Sequence, residues 1–199
     1  RELIVIQDGR EEVVASSFGG YTPDQWYSAE IRINYARVSL MIDNHILLEA
    51  LDSRLMSGGV GVWCDVAPSA TPAADPKMQP YQANSLHDLM KQHAVFDDVV
   101  VNTFDSFEDN FRSPGPLSGG WLLGNGLWKV QTSRNANAAS GELRVIPGDG
   151  QAKALLGDRR WAQYVLQVEV RPSNGQSGII FLHRDESNYS ATTLADDML

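Results

Sequence analysis

A single cysteine, Cys64, leaves no partner for an internal disulfide and no Cys-x-x-Cys pair to hold a metal. It sits in the strand-like run Val60-Gly61-Val62-Trp63-Cys64-Asp65, where it reads as a buried, inert thiol. Long apolar runs are missing too, since a membrane-crossing helix needs about twenty consecutive apolar residues and none occurs. Basic residues are few: 16 Lys and Arg face 25 Asp and Glu, for a net charge of −9. That balance repels phosphate backbones and excludes a nucleic-acid partner, and the acidity reads as a solvated surface. Catalytic signatures are absent as well. There is no Gly-x-Ser-x-Gly elbow, no His-Glu-x-x-His, no phosphate-cradling glycine loop and no EF-hand pattern. The sequence opens on Arg1 with no signal peptide in view, the expectation being a processed product, a fragment, or one unit of a longer chain.

What is present is β-forming sequence. Of the 199 residues 43% are hydrophobic, enough for a core, and 17 Gly and nine Pro supply many turns. All-β sandwiches often run to about 200 residues as one unit. Leu3–Ile6 leads through Asp8-Gly9 to Val13-Val14-Ala15, a hairpin signal because glycine accepts the positive φ of a type I′ turn. From Trp26 to Tyr35 the alternation is strict, with Tyr27, Ala29, Ile31, Ile33 and Tyr35 on one face. Arg37–Ile42, the turn Asp43-Asn44, Ile46–Ala50 and Val60–Val66 continue the pattern. Residues 67–76 are rich in Pro and Ala and irregular. A short helix is expected over 85–94, capped by Ser85 and bearing Leu86, Leu89, Met90 and His93 at i, i+3, i+4 and i+7. Further strands follow: Gly141–Ile146, Ala152–Leu156, Trp161–Arg171, Gly178–Leu182 and Tyr189–Leu194.

Everything is organised around residues 95–111. Val95-Phe96-Asp97-Asp98-Val99-Val100-Val101 reads as a buried strand, and Asp105-Ser106-Phe107-Glu108-Asp109-Asn110-Phe111 begins a second alternation. The first resembles the last strand of a laminin-G-like, concanavalin A-like jelly roll, and the second resembles that domain's first strand. Residues 1–102 are similar to the family's second half, and residues 103–199 to its first. The resemblance therefore implies one all-β domain, a jelly-roll sandwich of two antiparallel sheets, with the back of the fold written ahead of its front. Met198-Leu199 run on into Arg1-Glu2-Leu3-Ile4-Val5-Ile6 as one family-like hairpin. Neither half can bury its faces alone. Three arrangements satisfy both: a circular permutant, one period of a tandem array, or completion by a neighbouring chain that builds a ring or filament. The residues that would carry the join are Arg1, Leu3, Val5, Thr193, Met198 and Leu199.

Asp97, Asp98, Asp105, Glu108 and Asp109 crowd the junction of the first and last strands, and converging carboxylates are what calcium selects. Similar jelly rolls hold a structural calcium near this place. A saccharide needs an exposed aromatic platform, for which Trp26 and Trp121 are candidates, although a sandwich usually buries its tryptophans. Glycosidases on related jelly rolls carry Glu-x-Asp-x-x-Glu, which is missing here, and some relatives are assigned as keto-disaccharide hydrolases. The nearest carboxylates on facing strands, Glu30 and Glu169, read as solvated. Asn188-Tyr189-Ser190 is a glycosylation sequon. The expectation is an extracellular or cell-surface, non-catalytic structural or adhesive module that self-associates by strand exchange. The alternative is a carbohydrate-binding or glycoside-hydrolase-like domain.

Overall fold

The computed structural model describes residues 1–65, 94–103, 106–112, 120–132, 141–146, 151–173 and 175–195. In chain order its strands are β1 (Glu2–Gln7), β2 (Arg10–Ser16), β3 (Tyr27–Asn34), β4 (Arg37–Ile42), β5 (His45–Leu51), β6 (Gly59–Asp65) and β7 (Ala94–Asn102). There follow β8 (Phe107–Asp109), β9 (Leu122–Leu123), β10 (Leu127–Thr132), β11 (Gly141–Ile146), β12 (Ala152–Leu156), β13 (Val165–Arg171), β14 (Gln176–Asp185) and β15 (Asn188–Ala195). They form two antiparallel sheets packed into a sandwich. The seven-stranded sheet runs β2-β1-β15-β14-β6-β12-β9; the eight-stranded sheet runs β10-β11-β7-β13-β3-β4-β5, with β8 added beside β7. The helix expected over 85–94 lies outside the described residues except for Ala94, which opens β7.

Turn chemistry explains the hairpins. Asp8 and Gly9 take φ of 51° and 73°, and Asp43 and Asn44 take 49° and 64°, the left-handed pair that a type I′ turn requires. Tyr35 departs from its expected inward place. It turns left-handed at φ 53° to join β3 to β4 and is 64% exposed, so the inward set of β3 ends at Ile33. Alternation does the rest: Ala29, Ile31 and Ile33 of β3 meet Leu166, Val168 and Val170 of β13 and Val60 and Val62 of β6 in one core between the sheets. Each large aliphatic side chain buried there contributes about 1.5–3 kcal/mol.

The two halves interleave in both sheets. β1 pairs with β15 as a hairpin would, Glu2 opposite Thr193 and Val5 opposite Ser190, within a single chain. β6 lies between β14 and β12, and β7 lies between β13 and β11. β7 also pairs with β8, Val101 opposite Phe107, so the strands expected to be first and last are neighbours. One core draws on residues from both halves.

Two irregularities position the outer face of the seven-stranded sheet. At Gly178 the indole of Trp63 crosses the sheet and its Nε1 donates to the Thr192 carbonyl at 3.0 Å. A Cβ on Gly178 would lie 1.9 Å from that oxygen and 2.8 Å from the indole nitrogen, so only glycine leaves the passage open. At Leu182, φ 51°, an extra residue shifts β14 against β6: Ile180 faces Gly61, but His183 faces Gly59. The Leu182 N–H there donates to the buried Tyr164 hydroxyl at 2.8 Å.

Candidate functional site

The outer face of the seven-stranded sheet carries a groove of about 660 Å³, a volume that suits a small ligand. Its apolar side is Leu122, Leu123 and Leu155, the first two 70% and 46% exposed. Its polar side is Gln151 just before β12, Lys153 on it, Arg159 from the following turn, His183 and Asp185 from the end of β14, and Glu186 from the turn after it. The floor beside it is a small apolar cluster on the same face: Ile4, Ile6, Trp63, Ile180 and Ala191, with Leu155 and Tyr189 packed against it.

The bulge at Leu182 sets the polar wall. Phe181 and Leu182 both pack into the core, and the phase shift turns His183 outward against Tyr189, ring centroids 5.8 Å apart. Burial pushes the His183 imidazole below its ordinary pKa, so it is neutral at pH 7. Its Nε2 is buried and has no hydrogen-bond partner. Lys153 reaches across from β12: its Nζ lies 3.0 Å from Glu186, 3.3 Å from the Tyr189 hydroxyl and 4.5 Å from the Tyr189 ring centroid. Burial works against the ammonium, yet Glu186 and Tyr189 hold its pKa above the ordinary value. Asp185 is tied into the β14–β15 turn, accepting from Asn188 Nδ2 and the Ser187 N–H at 2.9 Å each. Those two bonds lower its pKa.

Of the residues expected to bind calcium, the four that are described do not converge. Asp97 and Glu108 stand on the outer side of the eight-stranded sheet, and Asp98 occupies a bulge at φ 45°. Asp109 is turned inward, accepting from the Phe111 N–H and from Trp121 Nε1 at 2.9 Å each. Asp105 lies outside the described residues. Among the described residues no three His, Cys, Asp or Glu side chains are grouped to hold a metal ion. What the strand order does bring together is a row of carboxylates across three strands. Asp97 on β7 faces Glu169 on β13, and Glu142 on β11 is its neighbour on the other side. Burial, then the charges of Asp98, Glu142 and Glu169, push Asp97 up to about 7. Glu142 is held by Arg144 at 2.9 Å and Arg171 at 3.5 Å.

Of the two tryptophans expected as platforms, Trp121 is 8% exposed and packs edge-on to Phe107 and against Phe111, a core residue. Trp26 is half-buried beneath the Arg171 guanidinium, 4.9 Å from its ring centroid. Glu30 is bonded to Arg32 and Gln167. Asn188 of the sequon is engaged on both sides of its amide, by Asp185 and by the Asp8 N–H. Arg1, Leu3, Val5 and Thr193 lie on or beside the β1–β15 join; Met198 and Leu199 are outside the described residues.

The groove residues were missed in the sequence because no local motif joins them. Lys153, Arg159 and His183 come from separate elements, and an unbroken period of two would have placed His183 in the core, whereas the bulge at Leu182 turns it outward. No protein-family model matches the chain, and no curated protein is significantly similar to it.

Proposed function

We propose that this chain is a non-catalytic, extracellular recognition module of the jelly-roll type, serving adhesion by holding a saccharide in the groove on its seven-stranded sheet. The groove itself carries this reading. It sets leucines for the apolar face of a sugar ring beside Gln151, Lys153 and His183, which can bond hydroxyls. Hydrolysis of a glycosidic bond needs two free carboxyls flanking it. Here Asp185 is held in its ionised form by the bonds of its own turn, unsuited to the proton-carrying acid, and Glu186 pairs with Lys153, which supports binding without cleavage. The test is an oligosaccharide array followed by calorimetry on the best ligand. Lys153→Ala is expected to weaken that ligand by about tenfold, equivalent to one good hydrogen bond. An array with no bound glycan, or a ligand released as cleaved product, would count against the proposal.

A second reading is head-to-tail assembly by exchange of halves between chains, favoured by the interleaving of β1 with β15 and of β6 and β7 with the strands of residues 103–199. It requires a mass that rises in multiples of 21.9 kDa with concentration. A single monomer mass at every concentration excludes it.

A further inference from the structure

We infer that the ligand of this groove carries a carboxylate, which within the saccharide reading, on which this inference rests, makes it an acidic sugar of the uronate type. The starting point is which polar groups of the groove are already engaged. Asp185 accepts two hydrogen bonds from its turn, and Glu186 is paired with Lys153. Each carboxylate therefore has one oxygen committed, Asp185 through Oδ1 and Glu186 through Oε2. Beside them stand two groups of the opposite character. Arg159 is exposed at the groove and forms no ion pair among the described residues. Its neighbour Arg160, by contrast, is closed onto Asp158 at 2.6 Å. His183 presents a buried Nε2 with no partner, on a ring held neutral by burial.

A guanidinium can only donate, and its planar fork matches the two oxygens of a carboxylate better than any single hydroxyl. A neutral imidazole beside it can donate a further hydrogen bond without adding charge. Long-range attraction does not explain an anionic ligand, because the chain carries −9 overall. The preference is instead local, carried by a short-range charge-assisted bond at Arg159, and it falls with added salt.

The experiment titrates the whole protein with three probes: an oligogalacturonate, a neutral galactose oligomer of equal length, and succinate, a carboxylate without a sugar ring. The expected result is that the oligogalacturonate binds at least about tenfold more tightly than the neutral oligomer at low salt. Arg159→Gln, a change at an exposed turn position, should abolish the difference, and Arg159→Lys should keep part of it. Equal affinity for both oligomers, unmoved by Arg159→Gln but weakened by Lys153→Ala, overturns the carboxylate and leaves the saccharide reading standing. Succinate binding as tightly as the oligogalacturonate keeps the carboxylate and overturns the saccharide. Binding of none of the three by folded protein overturns both.

Discussion

Trp63 and Gly178 form one unit, although they are 115 positions apart in the chain. The indole satisfies a carbonyl that the β14–β15 ladder leaves open, and the glycine gives it room. Trp63→Phe keeps most of the apolar contact and strands the Thr192 oxygen, so it should cost about 1–3 kcal/mol in urea denaturation. Gly178→Ala should cost as much or more, because the new methyl meets backbone that cannot give way. If the alanine variant matched wild type, the passage of the indole over Gly178 would be wrong. Asp97 gives a test in pH. Its folded pKa is raised to about 7, above the roughly 3.9 of an unfolded aspartate. Between those values the folded state holds the extra proton, so stability is fully present below the lower value and is lost as pH rises through the upper one. Asp97→Asn mimics the protonated side chain permanently. It should flatten the decline in melting temperature between about pH 4 and pH 7, and stabilise the protein at the upper end. A variant whose melting temperature falls as steeply as wild type over that window would show that the acid is not held in its neutral form.

β14 shows how the groove depends on a local break in regularity. Without the extra residue at Leu182, His183 would point into the core and the groove would lose its polar wall. The break is held by the Tyr164 hydroxyl, which accepts from the Leu182 N–H inside the core. Tyr164→Phe leaves that N–H buried and unpaired, so it should destabilise by about 1–3 kcal/mol and weaken ligand binding as well, though it touches no ligand. A loss of stability with binding unchanged would mean that the bulge holds its shape without the tyrosine. The same element marks how far the sequence could be read. Strands with unbroken alternation and tight turns, such as β3, β4, β11 and β12, were legible almost to the residue, because burial on one face imposes a period of two. Asp8-Gly9 and Asp43-Asn44 declared their turns because few residues accept positive φ. The groove was not legible, since its side chains come from elements adjacent only after folding and a bulge has no composition of its own. Trp121 was ambiguous for a related reason. A tryptophan beside a strand reads alike whether it faces solvent or core, and here Asp109 supplies the inward acceptor for its Nε1.

For the molecule taken whole, the question is how residues 1–102 and residues 103–199 make one body. Among the described residues, seven of the thirteen strand pairings join a strand of residues 1–102 to a strand of residues 103–199. Splitting the chain there leaves each piece with open edges on both sheets and half a core, so neither should fold alone. Covalent order, however, matters little once every strand has its neighbours. β15 and β1 already pair antiparallel in hairpin register, and β7 and β8 pair antiparallel as near neighbours in sequence. Joining Leu199 directly to Arg1 and opening the chain between Asn102 and Thr103 should therefore give a protein with the same far- and near-ultraviolet dichroism. Its unfolding free energy should stay within about 2 kcal/mol of the original, since one loop closure is exchanged for another of similar length. The control opens the same joined chain between Ile180 and Phe181, inside β14, where the new ends would interrupt a ladder paired on both sides. That variant should fail to fold. A relinked chain that collapses without fixed tertiary structure when opened at Asn102, under conditions where the parent is native, would mean that β1 and β15 do not meet in the register described.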